Sequence, residues 1–198
     1  MNHDFLKSGR AKQKAQTRNN ILAAAKRLLD KSEDVSLDDI AKEAGISRAT
    51  MYRYYSNVDV LITEAALDIN HESPEEINDQ LEGMNMHDRI FAIQKYYNKL
   101  ALEHETAFRR YLSAVLSESI SSKSKLRGAR RVKTLDLALQ PFSKDIKKEE
   151  KEKLINTATI LMGIDPIVAG KDVCELNDDQ VKETLAWALE MILKGMEK

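Results

Sequence analysis

Between residues 36 and 57 the chain reads SLDDIAKEAGISRATMYRYYSN, a stretch that admits little besides two short helices meeting at a tight turn. Ser36 is placed to cap the first helix, with Asp39 three positions on as the acidic member of a capping box. Leu37, Ile40, Ala41 and Ala44 give that helix an apolar face. Gly45 ends it, because glycine accepts the left-handed backbone that follows a helix C-terminus. Ser47 caps the second helix only two residues later, and Met51 and Tyr55, one turn apart, turn inward together with Ile46. The opposite side carries Arg48, Ala49, Tyr52 and Arg53, with Thr50 and Tyr54 on a flank.

Helices are expected on both sides of this unit. Thr17 is placed to cap a helix over RNNILAAAKRLLDKS, whose Ile21, Leu22, Ala25, Leu28 and Leu29 form one apolar stripe; the polar link EDV follows. Asn57 caps a further helix, VDVLITEAALDIN, ending before Ser73-Pro74. Beyond residue 80 the periodicity stays helical. Ile90, Ile93, Tyr97, Leu100 and Ala101 share one face, and Phe108, Tyr111, Leu112, Val115 and Leu116 the next. LRGARRVKTLDLAL stops at Pro141, and a long helix from Lys148 is expected to kink or be interrupted at Pro166. No stretch alternates with period two. With 7 Gly and 3 Pro in 198 residues, the composition favours long helices with few turns.

Net charge is −1, but residues 1–31 hold eight Lys or Arg (Lys7, Arg10, Lys12, Lys14, Arg18, Lys26, Arg27, Lys31) against Asp4 and Asp30. That end is +6, which leaves −7 on the other 167 residues. A basic end on an acidic body points to a polyanion at that end alone, or to a solvated tail. No apolar run approaches the ~20 residues of a membrane span. The polar start MNHDFLKSGRAKQKAQTR lacks an apolar leader core. The single cysteine, Cys174, cannot form an internal disulfide, so a cytoplasmic setting is expected. His3, His71, His87 and His104 have no metal-ligand spacing, and no glycine-rich loop is built to cradle phosphate. Neither a catalytic role, nor a metal, nor a cofactor is expected.

A helix entering a DNA major groove needs a core side that holds it on a scaffold. It also needs arginine for guanine edges, small groups for thymine methyls, and flanking hydroxyls for phosphates. The outward face at 48–54 supplies these residue types, and the tight glycine turn is the helix-turn-helix arrangement.

The segment from residue 17 to 62 resembles the DNA-binding region of the TetR (tetracycline repressor) family of bacterial transcription factors. That family's ILxAAxxLL and IAxxAGVSxxTLYxYF are matched here by ILAAAKRLL from Ile21 and IAKEAGISRATMYRYY from Ile40. The resemblance implies that Arg48 and Ala49 face bases, that Thr50 and Tyr52 contact backbone or bases, and that Tyr54 reaches a phosphate. Arg53 and the hydroxyls of Thr17, Ser36 and Ser47 complete the candidate DNA-contacting set. Two features depart from the family pattern. Ser56-Asn57-Val58 stands where Pro-Ser-Lys is common, so a lysine contact to phosphate is absent. Asp38 stands where a basic or neutral residue often reaches DNA; it would repel phosphate or accept from a cytosine amino group.

The implied fold is all-α: a basic arm over 1–16, a three-helix helix-turn-helix DNA-binding domain over 17–60, and a helical effector-binding and dimerisation domain over 61–198. The implied function is a homodimeric regulator of transcription, a repressor released from a palindromic double-stranded operator by a small-molecule effector. An adaptor regulated by a protein partner, with no cavity in its body, is the alternative. An enzyme built on this fold would instead show a pocket with a perturbed polar cluster. The middle helices would line the effector pocket, with Phe91, Tyr97, His104, Phe108, Tyr111, Leu112, Thr134, Leu135, Thr157 and Leu161 as candidates, although each of these also suits a plain core. The basic run Lys123, Lys125, Arg127, Arg130, Arg131 and Lys133 would bind an acidic effector or form a solvated face. In the last helix Val181, Leu185, Ala188, Leu189, Ile192 and Met196 form a stripe expected to meet a second copy across a two-fold axis, or to pack inside the subunit.

Overall fold

A computed structural model describes residues 3–29, 35–68, 71–121 and 127–196. Among the described residues the chain is all-α: eleven α-helices and one 3-10 turn, with no strand. Lys31, Asp30, the start of the EDV link, and Lys123 and Lys125 of the basic run lie outside the described residues.

The chain divides into two units, Met1–Asn70 with Arg110–Arg127, and His71–Arg109 with Gly128–Lys198. The first contains α1 (His3–Leu29), α2 (Leu37–Glu43), α3 (Arg48–Tyr54), α4 (Val58–Asp68) and the later part of α7 (Glu105–Ser121). This partition differs from the expected boundary at residue 60, because α4 packs along α1 and buries Val60, Leu61 and Ala65. Tyr111 and Val115 of α7 are buried as well. Ile21, Leu22, Ala24 and Ala25 of α1, Ile40 and Ala41 of α2, and Met51 and Tyr55 complete this core. The expected arm is also revised. The backbone is helical from His3, so Thr17 lies inside α1 instead of capping it, and its hydroxyl donates to the Gln13 carbonyl at 2.9 Å.

The second unit contains α5 (Pro74–Asp79), α6 (Met86–Glu103), the start of α7, α8 (Arg130–Leu139), a 3-10 turn at Gln140–Phe142, α9 (Lys148–Ile160), α10 (Ile164–Asp172) and α11 (Asp178–Met196). Its core gathers Ile90, Ile93 and Tyr97 of α6, Leu135 and Leu139 of α8, Leu154 and Ala158 of α9, and Leu189 and Leu193 of α11. Buried amides pin α6 to its neighbours. The Gln94 side-chain amide donates to the carbonyls of Leu161 (3.0 Å) and Leu185 (2.9 Å), and Asn98 Oδ1 accepts from the Gly163 N–H at 2.8 Å. Each satisfies a backbone group that would be costly to bury unpaired.

The expected break in the long helix after Lys148 occurs, but not at Pro166. It falls at Gly163, whose φ of +81° starts a new helix. Pro166 lies in that helix's first turn, where its missing N–H costs nothing. The stripe offered either to a partner or to the subunit's own core falls in part on the core. Val181, Leu185 and Leu189 are buried in the subunit itself, and Ala188, Ile192 and Met196 are half-buried. The large apolar side chains that α11 leaves exposed are Trp187 and Met191.

Candidate nucleic-acid interface

Two caps define the ends of the recognition unit. Ser36 Oγ accepts from the Asp39 N–H at 3.2 Å while the Ser36 N–H donates to Asp39 Oδ2 at 3.1 Å, closing the capping box. The Ser36 hydroxyl and backbone N–H hold the Asp39 carboxyl below its ordinary range. Ser47 Oγ accepts from the Thr50 N–H at 3.1 Å and sets the start of α3. Between them Gly45 has φ +67°, the left-handed conformation that the turn demands. Met51 and the C-cap residue Tyr55 are buried, so α3 is anchored by one side only.

Tyr55 is anchored further by Arg18, whose guanidinium lies 5.1 Å from its ring centre. Arg18 also makes a two-pronged ion pair with Glu64 of α4, with Nε donating to Oε1 at 2.9 Å. Burial and the neighbouring Glu64 push the Tyr55 hydroxyl far above its ordinary pKa, so it stays neutral. Arg18 is therefore a structural charge, although the sequence reading counted it in the basic footprint. Arg27 is likewise paired, with Glu43 at 2.7 Å.

The opposite side of α3 is open. The Arg48 side chain is 71% exposed and Tyr52 is 44% exposed. Ala49 and Arg53 are exposed, and Tyr54 and Thr50 half-buried. Thr17, Thr50, Arg53 and Tyr54 of the candidate set line one depression of about 520 Å³ together with Gln13 and Lys14 of α1. Two cations and three hydroxyls around a shallow groove suit a phosphate backbone. Gln13 was missed in the sequence, since nothing in its neighbourhood announces that α1 is already helical there. Ser36 and Ser47 act as caps, with their side chains turned to backbone N–H groups. Asp38 stands 3.2 Å from Arg48 Nε (Oδ1), a pairing the sequence did not announce.

The profile of the bacterial regulatory proteins of the tetR family matches residues 21–65, which contain this capped, one-sided unit. The solved structure of a TetR transcriptional regulator from Rhodococcus sp. RHA1 is similar over 93% of this chain and 100% of its own, with a TM-score of 0.53 and 16% identity. Residues 21–65 place the chain's DNA-binding region in the TetR family of transcriptional regulators. No curated protein matches its sequence significantly. As a TetR-family regulator it is a DNA-binding protein. Among the described residues no helix is long and apolar enough to cross a membrane, and no His, Cys, Asp and Glu group is arranged to hold a metal.

In the second unit the effector candidates fall into separate places. The Tyr97 hydroxyl and Thr134 Oγ1 form a buried 2.8 Å hydrogen bond, and burial raises the Tyr97 pKa to about 12. Phe108 meets His71 edge-on at 5.9 Å, and His71 is 6.2 Å from Tyr97 between ring centres. Leu135 is plain core, Leu161 packs against that core, and His104 is the C-cap of α6. Thr157 donates to the Lys153 carbonyl at 2.8 Å. Tyr111 and Leu112 belong to the other unit. Phe91 alone of the ten lines the open depression of about 770 Å³ between α6 and α11, beside Ala92, Gln94, Asn98, Leu102 and Ala186. The described part of the basic run is partly tied down. Arg131 donates to the Met162 and Thr159 carbonyls and pairs with Asp165, and Lys133 pairs with Glu75.

Proposed function

We propose that this regulator is a homodimeric repressor that reads a palindromic operator with α3 and leaves it when a small molecule binds the second unit. The observation that carries the DNA half is the one-sided α3: Met51 and Tyr55 are buried while Arg48, Ala49, Tyr52 and Arg53 stand exposed beside a groove bearing Lys14 and Thr17. A residue buried for stability alone would not leave two arginines and a tyrosine outward. The depression between α6 and α11, apolar over most of its surface and bordered by Lys95, Lys99, Glu103, Asp178, Lys182 and Glu183, supports a small amphipathic effector. Effector and operator would oppose one another by reciprocal linkage, each lowering the affinity for the other by the same factor.

Selection from a randomised duplex library tests the reading. A dimer should select two inverted half-sites centred about one helical turn apart or a multiple of it. Arg48→Ala should lose roughly 1–3 kcal/mol on the selected site and relax preference at one base pair per half-site. An equal loss on every duplex would make Arg48 a phosphate contact. Failure to select any sequence would end the operator reading.

A further inference from the structure

We propose that Asp38 sets the sequence specificity of this protein by holding Arg48 in the orientation that reads a base, an inference resting on the proposed base contact of Arg48. Asp38 lies in the first turn of α2, Arg48 begins α3, and Oδ1 of one stands 3.2 Å from Nε of the other. The Arg48 guanidinium also sits 5.4 Å from the Tyr52 ring centre. The Tyr52 hydroxyl, followed by the Asp38 charge, raises the Arg48 pKa.

The guanidinium is a planar fork with two usable edges. Asp38 stands against its Nε edge. The pair of Nη atoms forms the other edge, the one that donates to guanine O6 and N7 together. A long side chain standing free on an exposed helix face loses its rotational freedom on meeting a base. One clamped by a carboxylate and laid on a ring has already lost part of it.

Stability gives the pair only a small role, beyond the favourable place of the Asp38 charge in the first turn of α2. Both side chains are half-exposed or more, and exposed ion pairs contribute little stability. The α2–α3 angle is already fixed by Ile40, Ala41 and Met51, and the α2 cap is formed by Asp39, not Asp38. A carboxylate on a face that approaches phosphates also lowers affinity for every duplex. Asp38 thus exchanges general affinity for discrimination: it penalises backbone-only binding and aims a side chain that reads.

The test is a cycle of Asp38→Asn, Arg48→Ala and the double variant, with circular dichroism and melting to confirm folding. Wild type first selects a site from a randomised duplex library. Affinity is then measured for that site, for the site changed at the base pair where Arg48→Ala loses its preference, and for unrelated duplex. Asp38→Asn should reduce discrimination at that base pair by about fivefold to tenfold and bind unrelated duplex more tightly. In the Arg48→Ala background it should leave discrimination unchanged. A uniform gain on all duplexes with discrimination intact would overturn the proposal and leave Asp38 a repulsive charge. An equal effect in both backgrounds would overturn it by making Asp38 a base reader itself. If Arg48→Ala loses no preference although wild type selects a site, the proposal falls while DNA binding stands. If wild type selects nothing, both fall.

Discussion

Gly163 combines a left-handed backbone with a close neighbour. Its φ is +81°, and a Cβ built there would come within 2.9 Å of Arg131 Nη1. That guanidinium donates to the carbonyls of Met162 and Thr159 at the end of α9 and pairs with Asp165 at the start of α10. It satisfies carbonyls that the α9 terminus leaves without an intrahelical partner. Gly163→Ala should therefore cost about 1–3 kcal/mol, from backbone strain together with displacement of Arg131. Urea unfolding checks this, and an unshifted midpoint would show that Arg131 yields without loss. Arg18 and Glu64 pose a different case. Both side chains are largely buried, so removing one takes away the opposite charge against which the other is buried. Glu64→Leu should cost about 3 kcal/mol, whereas Arg18→Met with Glu64→Leu should recover much of it. A double variant as unstable as the single one would mean that the pair is itself the source of stability. Neither interaction was legible in the sequence. Arg18 and Glu64 are 46 positions apart, and Arg18 reads there as one more cation of a basic end.

Elements were legible where local chemistry decides them. Ser36 with Asp39 and Ser47 both cap as expected, and Asn57 Oδ1 accepts from the Asp59 N–H beside the start of α4. The same chemistry made α5 available, since Ser73, Pro74 and Glu76 form a capping box with proline at the first position, but its six residues are too short to show a period. What joins elements was not legible, because it depends on side chains far apart in the chain. The first turn of α7 is tied to α10 and α11 in this way. Arg109 binds Glu105 at 2.8 Å and Asp172 at 2.7 Å, while Lys171 binds Glu105 and Asp178 at 2.7 Å each. Lys171 and then Arg109 hold the Glu105 carboxyl below its ordinary range, and Arg109 does the same for Asp172. A carboxyl whose pKa is lower folded than unfolded stabilises the fold above its unfolded pKa, about 4, and stops doing so as pH falls through the folded value. Stability should decline below about pH 4. Arg109→Met, which removes the cause for Asp172 and the lesser of the two for Glu105, should make that decline shallower in urea midpoints taken from pH 7 to pH 3. An equally steep decline would place the acid sensitivity elsewhere.

At the scale of the whole molecule the proposed homodimer needs a surface that meets a second copy. The helical period alone could not decide it, because a stripe that fills the subunit core and a stripe that joins two subunits read identically in sequence. Burial decides. Val181, Leu185, Leu189 and Leu193 face inward, each burial being worth roughly 1.5–3 kcal/mol. Leu185→Glu with Leu189→Glu should therefore unfold the subunit, since two carboxylates would enter its core. Trp187 and Met191 lie one turn apart on the outer side of α11, 63% and 40% exposed. A large aromatic beside a methionine is the composition of an interface centre, and a two-fold axis would set this pair against its own copy. Trp187→Glu with Met191→Glu should leave the helical circular dichroism and melting cooperativity of the subunit intact while light scattering reports a monomer. Affinity for a two-half-site duplex should then fall far more than affinity for a single half-site, because the second α3 is no longer held at the first one's side. A folded variant that still scatters as a dimer would exclude this face. A monomer that keeps full affinity for the two-half-site duplex would show that the two recognition helices are not coupled through it.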